Sequence, residues 1–256
     1  NDREYNSNCQ IIALSKNRKR QCLNDIIMKK IIVHIPNAIT CLNLLSGCFA
    51  CLFAFKTDFE ASALFICLAA LFDFMDGFAA RLLNAYSPMG KELDSLADLI
   101  SFGMAPGILI FSFTGQLITP EYPIFIREYF PYLAFLIPVF SGLRLAKFNI
   151  DTRQITSFIG LPVPADALFW IGVCFWGLEN GFNIYVLGCL ILIFSYLLVS
   201  ELPMFSLKFK DLSLRNNYIR YILLLGAIVF ITLFGFGGFA AAIVLYIVLS
   251  VINIKL

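Results

Sequence analysis

The sequence predicts an all-α membrane protein, a polytopic helical bundle with about eight transmembrane helices. Three observations predict it. Of 256 residues, 60% are hydrophobic and only 14% are charged, where a soluble domain carries about 25% charged residues. The apolar residues gather in runs close to the ~20 needed to cross a bilayer as a helix. Polar residues, Gly and Pro fall mainly between these runs.

The first run, 35–55, opens on Pro36 and Asn37 and stops at "KTDFE". The second, 60–83, stops at "NAYSPMGKE", and the third, 92–117, at "TPEYP". The fourth, 130–149, is followed by "DTRQITSFIGLPVP", whose prolines preset φ for a rigid re-entry turn. The fifth, 163–180, ends in "LENG"; the sixth, 183–200, precedes the polar stretch "ELPMFSLKFKDLSLRNN". The seventh and eighth, 218–234 and 237–254, are divided by "GFGG". No internal repeat is visible. Residues 28–256 therefore read as a single transmembrane domain. Residues 1–27 are mixed and polar, without the order of a signal peptide. They read as an N-terminal extension, with Met28-Lys29-Lys30 as a natural start.

An even number of spans puts both termini on one side. Of the 19 Lys and Arg residues, only Lys56 and Arg127 then fall on the opposite side. The positive-inside rule places the termini, and the loop after the second run, in the cytoplasm. The expected location is the cell inner membrane. A net charge of +2 is too small to point to nucleic acid as a partner. Six of the eight cysteines lie inside apolar runs and read as small buried hydrophobes. Cys48 and Cys51 have C-x-x-C spacing but no second pair, so a redox or zinc reading is weak. The sole histidine, His34, cannot build a histidine-rich metal site.

The chemistry is concentrated in "DFMDGFAARLLNAYSPMGKELDSLAD". Asp73 and Asp76 are three residues apart near the cytoplasmic end of the second run. Asp94 and Asp98 are four apart near the start of the third. Each spacing puts a pair on one helix face, and the short connection makes the two helices antiparallel neighbours. Four carboxylates can then converge. Each costs ~3 kcal/mol deep in a helix, and they repel one another, so they are expected to be protonated unless a cation is present. Oxygen ligands without nearby His or Cys suit Mg²⁺, Mn²⁺ or Ca²⁺. Four helix caps in headgroup water would not produce these spacings. Gly77, Ala80 and Gly90 share the faces; they either let a ligand approach closely or let helices pack. Arg81, one turn beyond the aspartates, suits a phosphate.

Asp73-x-x-Asp76-Gly77-x-x-Ala80-Arg81, followed after eight residues by Gly90-x-x-x-Asp94-x-x-x-Asp98, resembles the signature of the CDP-alcohol phosphatidyltransferase family at every position. "HIPNAITCLNLLSG" resembles the start of that family's first core helix. "SFGMAPG", "RLAKFN" and "GLPVPA" resemble its serine-transferring branch.

The resemblance implies that CDP-diacylglycerol donates its phosphatidyl group to L-serine and CMP leaves. It implies Asp73, Asp76 and Asp94 as ligands of a divalent metal, Mg²⁺ or Mn²⁺, with two ions expected. Asp98 is implied as general base, and also as a ligand of the second ion. Gly77, Ala80, Arg81 and Gly90 belong to the CDP-lipid site. Asn37 and Thr40 either line the nucleotide pocket or simply cap the first helix. Arg144 and Lys147 can both read as interfacial anchors; the functional reading, favoured for Arg144 alone, has it hold the serine carboxylate or a lipid phosphate. Ser101 is expected on the acceptor side. A homodimer among membrane lipids is also implied. Rival readings are another acceptor, glycerol 3-phosphate or inositol phosphate, and, in a different class, a divalent-cation transporter or a structural membrane protein.

Overall fold

The computed structural model describes residues 34–151, 158–205 and 214–254; the expectation for residues 1–27 lies outside them. Eight helical rods account for the eight runs. The first is α1, His34–Phe55. A turn through Thr57, with φ of +59°, leads to Asp58, which caps α2 (Phe59–Leu82) by accepting from Ala61 N–H at 3.1 Å. The α1–α2 hairpin is pinned near this turn, where Ser62 donates to the Ala50 carbonyl at 3.0 Å.

The third rod starts earlier than expected, at Pro88 rather than 92. Ser87 accepts from Gly90 N–H at 2.9 Å and Pro88 takes the first helical position, an arrangement in which proline's missing donor costs nothing. The rod has three parts: α3 (Pro88–Asp98), a π-helical turn over Leu99–Met104, and α4 (Ala105–Leu117). The π turn was not anticipated. Such wide turns insert a residue into the helix and recur at functional sites. The fourth rod also starts early, with α5 (Ile124–Tyr129), a 3₁₀ stretch over Phe130–Phe135 that contains Pro131, and α6 (Leu136–Ile150).

Gly160, at φ +79°, makes the re-entry turn before α7 (Val163–Asn180). Its N–H donates to Leu202 and that of Leu161 to Leu197, so the turn is tied to the end of α8 (Ile184–Val199). A two-residue antiparallel pairing of Phe158–Ile159 with Pro203–Met204 extends this tie. α9 (Leu214–Phe234) and α10 (Gly238–Ile254) are joined through a 3₁₀ turn with Gly235 at φ +54° and pack on each other; α10 also packs on α7.

Among the described residues, five helical segments are long and apolar enough to cross a bilayer: His34–Phe55, Phe59–Leu82, Pro88–Leu117, Ile124–Ile150 and Asn217–Ile252. The last is the folded-back α9–α10 pair. Shorter α7 and α8 complete the all-α membrane bundle. α4 is its central rod, with Ala105–Ile110, Phe113 and Thr114 buried. Phe102, Trp170 and Ile66 are also fully buried. Large apolar side chains of α1, α2 and α9 remain exposed, as a lipid-facing surface requires.

One crossing fixes α1 against the π turn. A Cβ on Gly47 would meet the Ser101 side chain and lie 2.7 Å from its Cα, closer than packed atoms tolerate. Gly47→Val should therefore lower the thermal unfolding midpoint in detergent, the loss corresponding to about 1–3 kcal/mol of overpacking. Gly115→Ala, where the added methyl meets nothing within 4 Å, should not.

Candidate active site

The second and third rods meet as the aspartate spacings require. One carboxylate oxygen from each of Asp73, Asp76 and Asp94 lies within 4.8 Å of the others. Asp98 stands one helical turn beyond Asp94 and is not part of this trio. α1 holds the flanks. Thr40 Oγ1 lies 2.5 Å from Asp76 Oδ2 and 3.1 Å from the Pro36 carbonyl. A hydroxyl has one proton, and the carboxylate is the stronger acceptor. Thr40 thus orients Asp76 and does not cap α1. One turn further on, Asn43 Nδ2 donates to Asp98 Oδ1 at 3.4 Å.

The donor set fits a hard divalent cation. Three carboxylate oxygens converge; Asp94 Oδ1 is buried with no hydrogen-bond partner. None of the four aspartates joins an ion pair among the described residues. Oxygen-only ligation suits Mg²⁺ or Mn²⁺.

Beside the trio opens a cavity of about 480 Å³. Of the residues singled out from the sequence, Asn37, Thr40, Asp76, Gly77, Ala80, Arg81, Gly90 and Asp94 line it. The two glycines serve it differently. A Cβ on Gly77 would meet nothing within 4 Å, so its bare backbone is open to the cavity. A Cβ on Gly90 would sit 2.8 Å from Asn37 Oδ1; that glycine gives Asn37 its place on the wall. Exposed Arg81 and Lys91 put positive charge at the edge, which suits an anionic ligand.

Two expected residues lie elsewhere. Ser101 is fully buried and donates to the Asn43 carbonyl at 3.0 Å. It works at the α1 crossing and does not line the cavity. Arg144 does not line it either. It is buried, with its Cζ 5.4 Å from the ring centre of Phe148, and Asp98 and Tyr246 act on its charge. Its Nε and Nη2 have no partner; these two atoms form one edge of the guanidinium, the fork that grips a carboxylate or phosphate. Lys147 donates toward the Val199 carbonyl at 3.4 Å and lies 3.5 Å from Glu201. It ties α6 to the end of α8.

Sequence reasoning missed Asn43, Lys91, Ser95, Phe148 and Asn149. Lys91 Nζ donates to the Asn149 carbonyl at 3.2 Å and Asn149 Nδ2 to Ser95 at 2.9 Å. These bonds bind the end of α6 to α3 and place Phe148 in the cavity wall. The stretch "RLAKFN" was the available signal, since it puts two cations and an amide at one helix end.

The family model described as CDP-alcohol phosphatidyltransferase matches residues 33–205. The chain belongs to that family. Among its relatives, a Bacillus subtilis protein named CDP-diacylglycerol–serine O-phosphatidyltransferase is 36% identical over 170 residues, 66% of this chain and 88% of the relative. A Mycobacterium leprae protein of the same name is 32% identical over 244 residues, 90% and 71% of the two chains. One from Saccharomyces cerevisiae, also so named, is 34% identical over 160 residues, 56% and 54%. The matched region contains the aspartates, the cavity and Arg144.

For a family defined by CDP-alcohol donors, the two glycines make separable predictions. Gly77→Val should leave thermal stability near wild type, because the side chain enters open space. It should weaken binding of a CDP-lipid by about tenfold or more, as expected when ~1–3 kcal/mol of steric cost falls on the ligand. Gly90→Val should lower stability as well, because Asn37 stands in the way. Melting curves and titration with the CDP-lipid check both.

Proposed function

We propose that this enzyme transfers the phosphatidyl group of CDP-diacylglycerol to L-serine, giving phosphatidylserine and CMP in phospholipid synthesis. The observation that carries the reading is the division of labour among the aspartates. Three cluster beside the open cavity, and the fourth is held apart by Asn43 with an unpartnered arginine fork nearby. The names of the relatives specify serine. Transfer accounts for the acidic cluster, the one such group among the described residues, and its adjoining cavity better than ion transport does.

The cavity takes the cytidine diphosphate end of the donor, with Arg81 and Lys91 meeting its negative charge and Gly77 leaving room for it. Asp73, Asp76 and Asp94 would hold divalent metal, Mg²⁺ or Mn²⁺, with Asp98 able to bear on a second ion. Bound there, the metal would neutralise charge on the diphosphate and on departing CMP. Asp98 accepts the proton of the serine hydroxyl. The hydroxyl oxygen forms its bond to the phosphorus that carries diacylglycerol; the bond from that phosphorus to the CMP oxygen breaks, and the electron pair leaves with CMP. The Arg144 fork holds the serine carboxylate. The site faces the cytoplasm of the inner membrane, because the Lys and Arg residues concentrate on that side. A homodimer belongs to the same reading.

Purified protein should release CMP from CDP-diacylglycerol only with serine and a divalent ion, and EDTA should stop it. Asp94→Asn should weaken Mn²⁺ binding measured by electron paramagnetic resonance. Asp98→Asn should bind donor normally but lose turnover by ~10²-fold or more, the range of general-base catalysis. Lipid product from glycerol 3-phosphate and none from serine would overturn the serine assignment.

Arg144→Lys separates the two ligands open to that residue. Losing one charge-assisted bond costs about ten- to a hundredfold. A rise of that size in serine KM, with donor KM unchanged, is expected. A rise in donor KM alone would assign Arg144 to the lipid phosphate.

A further inference from the structure

Asn43 is fully buried in an apolar helix, and two of its polar groups are committed while a third is not. Its backbone carbonyl accepts the Ser101 hydroxyl at 3.0 Å. One turn later, Gly47 lies against the Ser101 backbone, so α1 cannot draw back at this level. Its side-chain amide nitrogen donates to Asp98 Oδ1. An ionised carboxylate only accepts, and the amide is assigned accordingly, with its nitrogen toward Asp98. The carbonyl Oδ1 is left buried and without a partner. Leaving such an acceptor unmet is costly, and Asn is a poor choice for an apolar helix face unless something uses it.

A second unmet group bears on the same carboxylate. The Nε and Nη2 edge of Arg144 is buried and unpartnered, and Asp98 acts on its charge. α6 packs on the π turn that follows Asp98, so the protein offers one unmet acceptor beside Asp98 and one unmet two-donor fork on the neighbouring helix. The complementary molecule carries a cationic donor, a planar anion and a hydroxyl on adjoining carbons. An α-ammonium, an α-carboxylate and a β-hydroxyl meet that description. A hydroxyl of another acceptor can also donate to Asn43 Oδ1, but a neutral donor makes a weaker bond there than an ammonium does.

We infer that Asn43 is the specificity-determining residue for an amino-acid acceptor, its Oδ1 receiving the α-ammonium while its Nδ2 steadies Asp98. This rests on the reading of Asp98 as the base that takes the acceptor's proton.

The test uses the full-length enzyme in detergent with saturating CDP-diacylglycerol. Serine KM and kcat are measured beside the competitive inhibition constant of 3-hydroxypropionate, which is serine without its amine. In wild type the inhibition constant should exceed serine KM by about tenfold or more, the value of a hydrogen bond to a charged group. Asn43→Ala should raise serine KM by about tenfold or more and leave the inhibition constant within about threefold, closing the gap. Asn43→Asp keeps an oxygen for the ammonium and loses the donor to Asp98. It should retain serine KM within about threefold while kcat falls more than about tenfold. CDP-diacylglycerol KM should stay constant in both.

If Asn43→Ala shifts serine and its amine-free analogue together, or leaves the gap intact, Asn43 only packs and the inference is overturned. If Asn43→Ala does not fold, Asn43→Asp carries the test, and a serine KM raised by about tenfold or more there overturns it equally. Wild-type enzyme that uses another acceptor and not serine overturns the proposed function itself, and this inference with it.

Discussion

Uncompensated negative charge inside an apolar bundle is the constraint on which the structure turns. Each aspartate costs ~3 kcal/mol to insert. Asp73, Asp76 and Asp94 also bring oxygens within 4.8 Å of one another, and among the described residues none has a cationic partner at ion-pair distance. The protein holds this cluster by distributing it over two antiparallel helices and bracing it from a third. Thr40 braces Asp76 and Asn43 braces Asp98, both from α1. α1 is itself fixed twice, by Ser62 on the Ala50 carbonyl and by the close crossing of Gly47 with Ser101. What the braces leave unmet, Asp94 Oδ1 above all, is what a cation would satisfy. Stability and function are thereby joined in the proposed reading, because the carboxylates that are costly to the fold are those placed to hold a cation.

The π turn at Leu99–Met104 lets one rod meet two opposed demands. α3 must show Asp94 and Asp98 to the site, while α4 must bury nearly every side chain at the bundle centre. An unbroken α-helix carries one angular phase from end to end. An inserted residue shifts that phase, so polar and core faces need not lie on the same side. Placed directly after Asp98, the wide turn also presents Ser101 to α1.

The sequence made the rods and the aspartates legible because both depend on short-range periodicity. Spacings of three and four residues and a brief connection were enough to bring Asp73, Asp76 and Asp94 together. The start of α3 was misjudged because "NAYSPMGKE" looks like a loop, yet Ser87 and Pro88 within it are cap and first helical residue. The π turn carried no compositional mark. Ser101 was expected at the acceptor, but an apolar helix gives no hint whether a lone hydroxyl faces a ligand or a neighbouring carbonyl; here it faces Asn43. Asn43 was overlooked for the converse reason. Its partner is 55 residues away, and no local pattern connects them. The two-residue pairing of Phe158–Ile159 with Pro203–Met204 is likewise a product of tertiary placement.

The two halves of the site differ in their exposure to water, and transfer chemistry gives that difference a purpose. The proposed donor side is an open cavity edged by exposed Arg81 and Lys91. On the proposed acceptor side, Asn43 Oδ1 and the Arg144 fork are out of solvent contact. Water is itself a nucleophile toward an activated phosphorus and is far more abundant than any amino acid. A base surrounded by exposed polar groups would hold ordered water in the line of attack. Sealed groups that an incoming ligand must uncover and satisfy give preference to a molecule that matches all of them. Excluding water also strengthens each charged contact within the site. In the proposed reaction, the same burial that makes Asn43 and Arg144 costly to the fold favours transfer over hydrolysis.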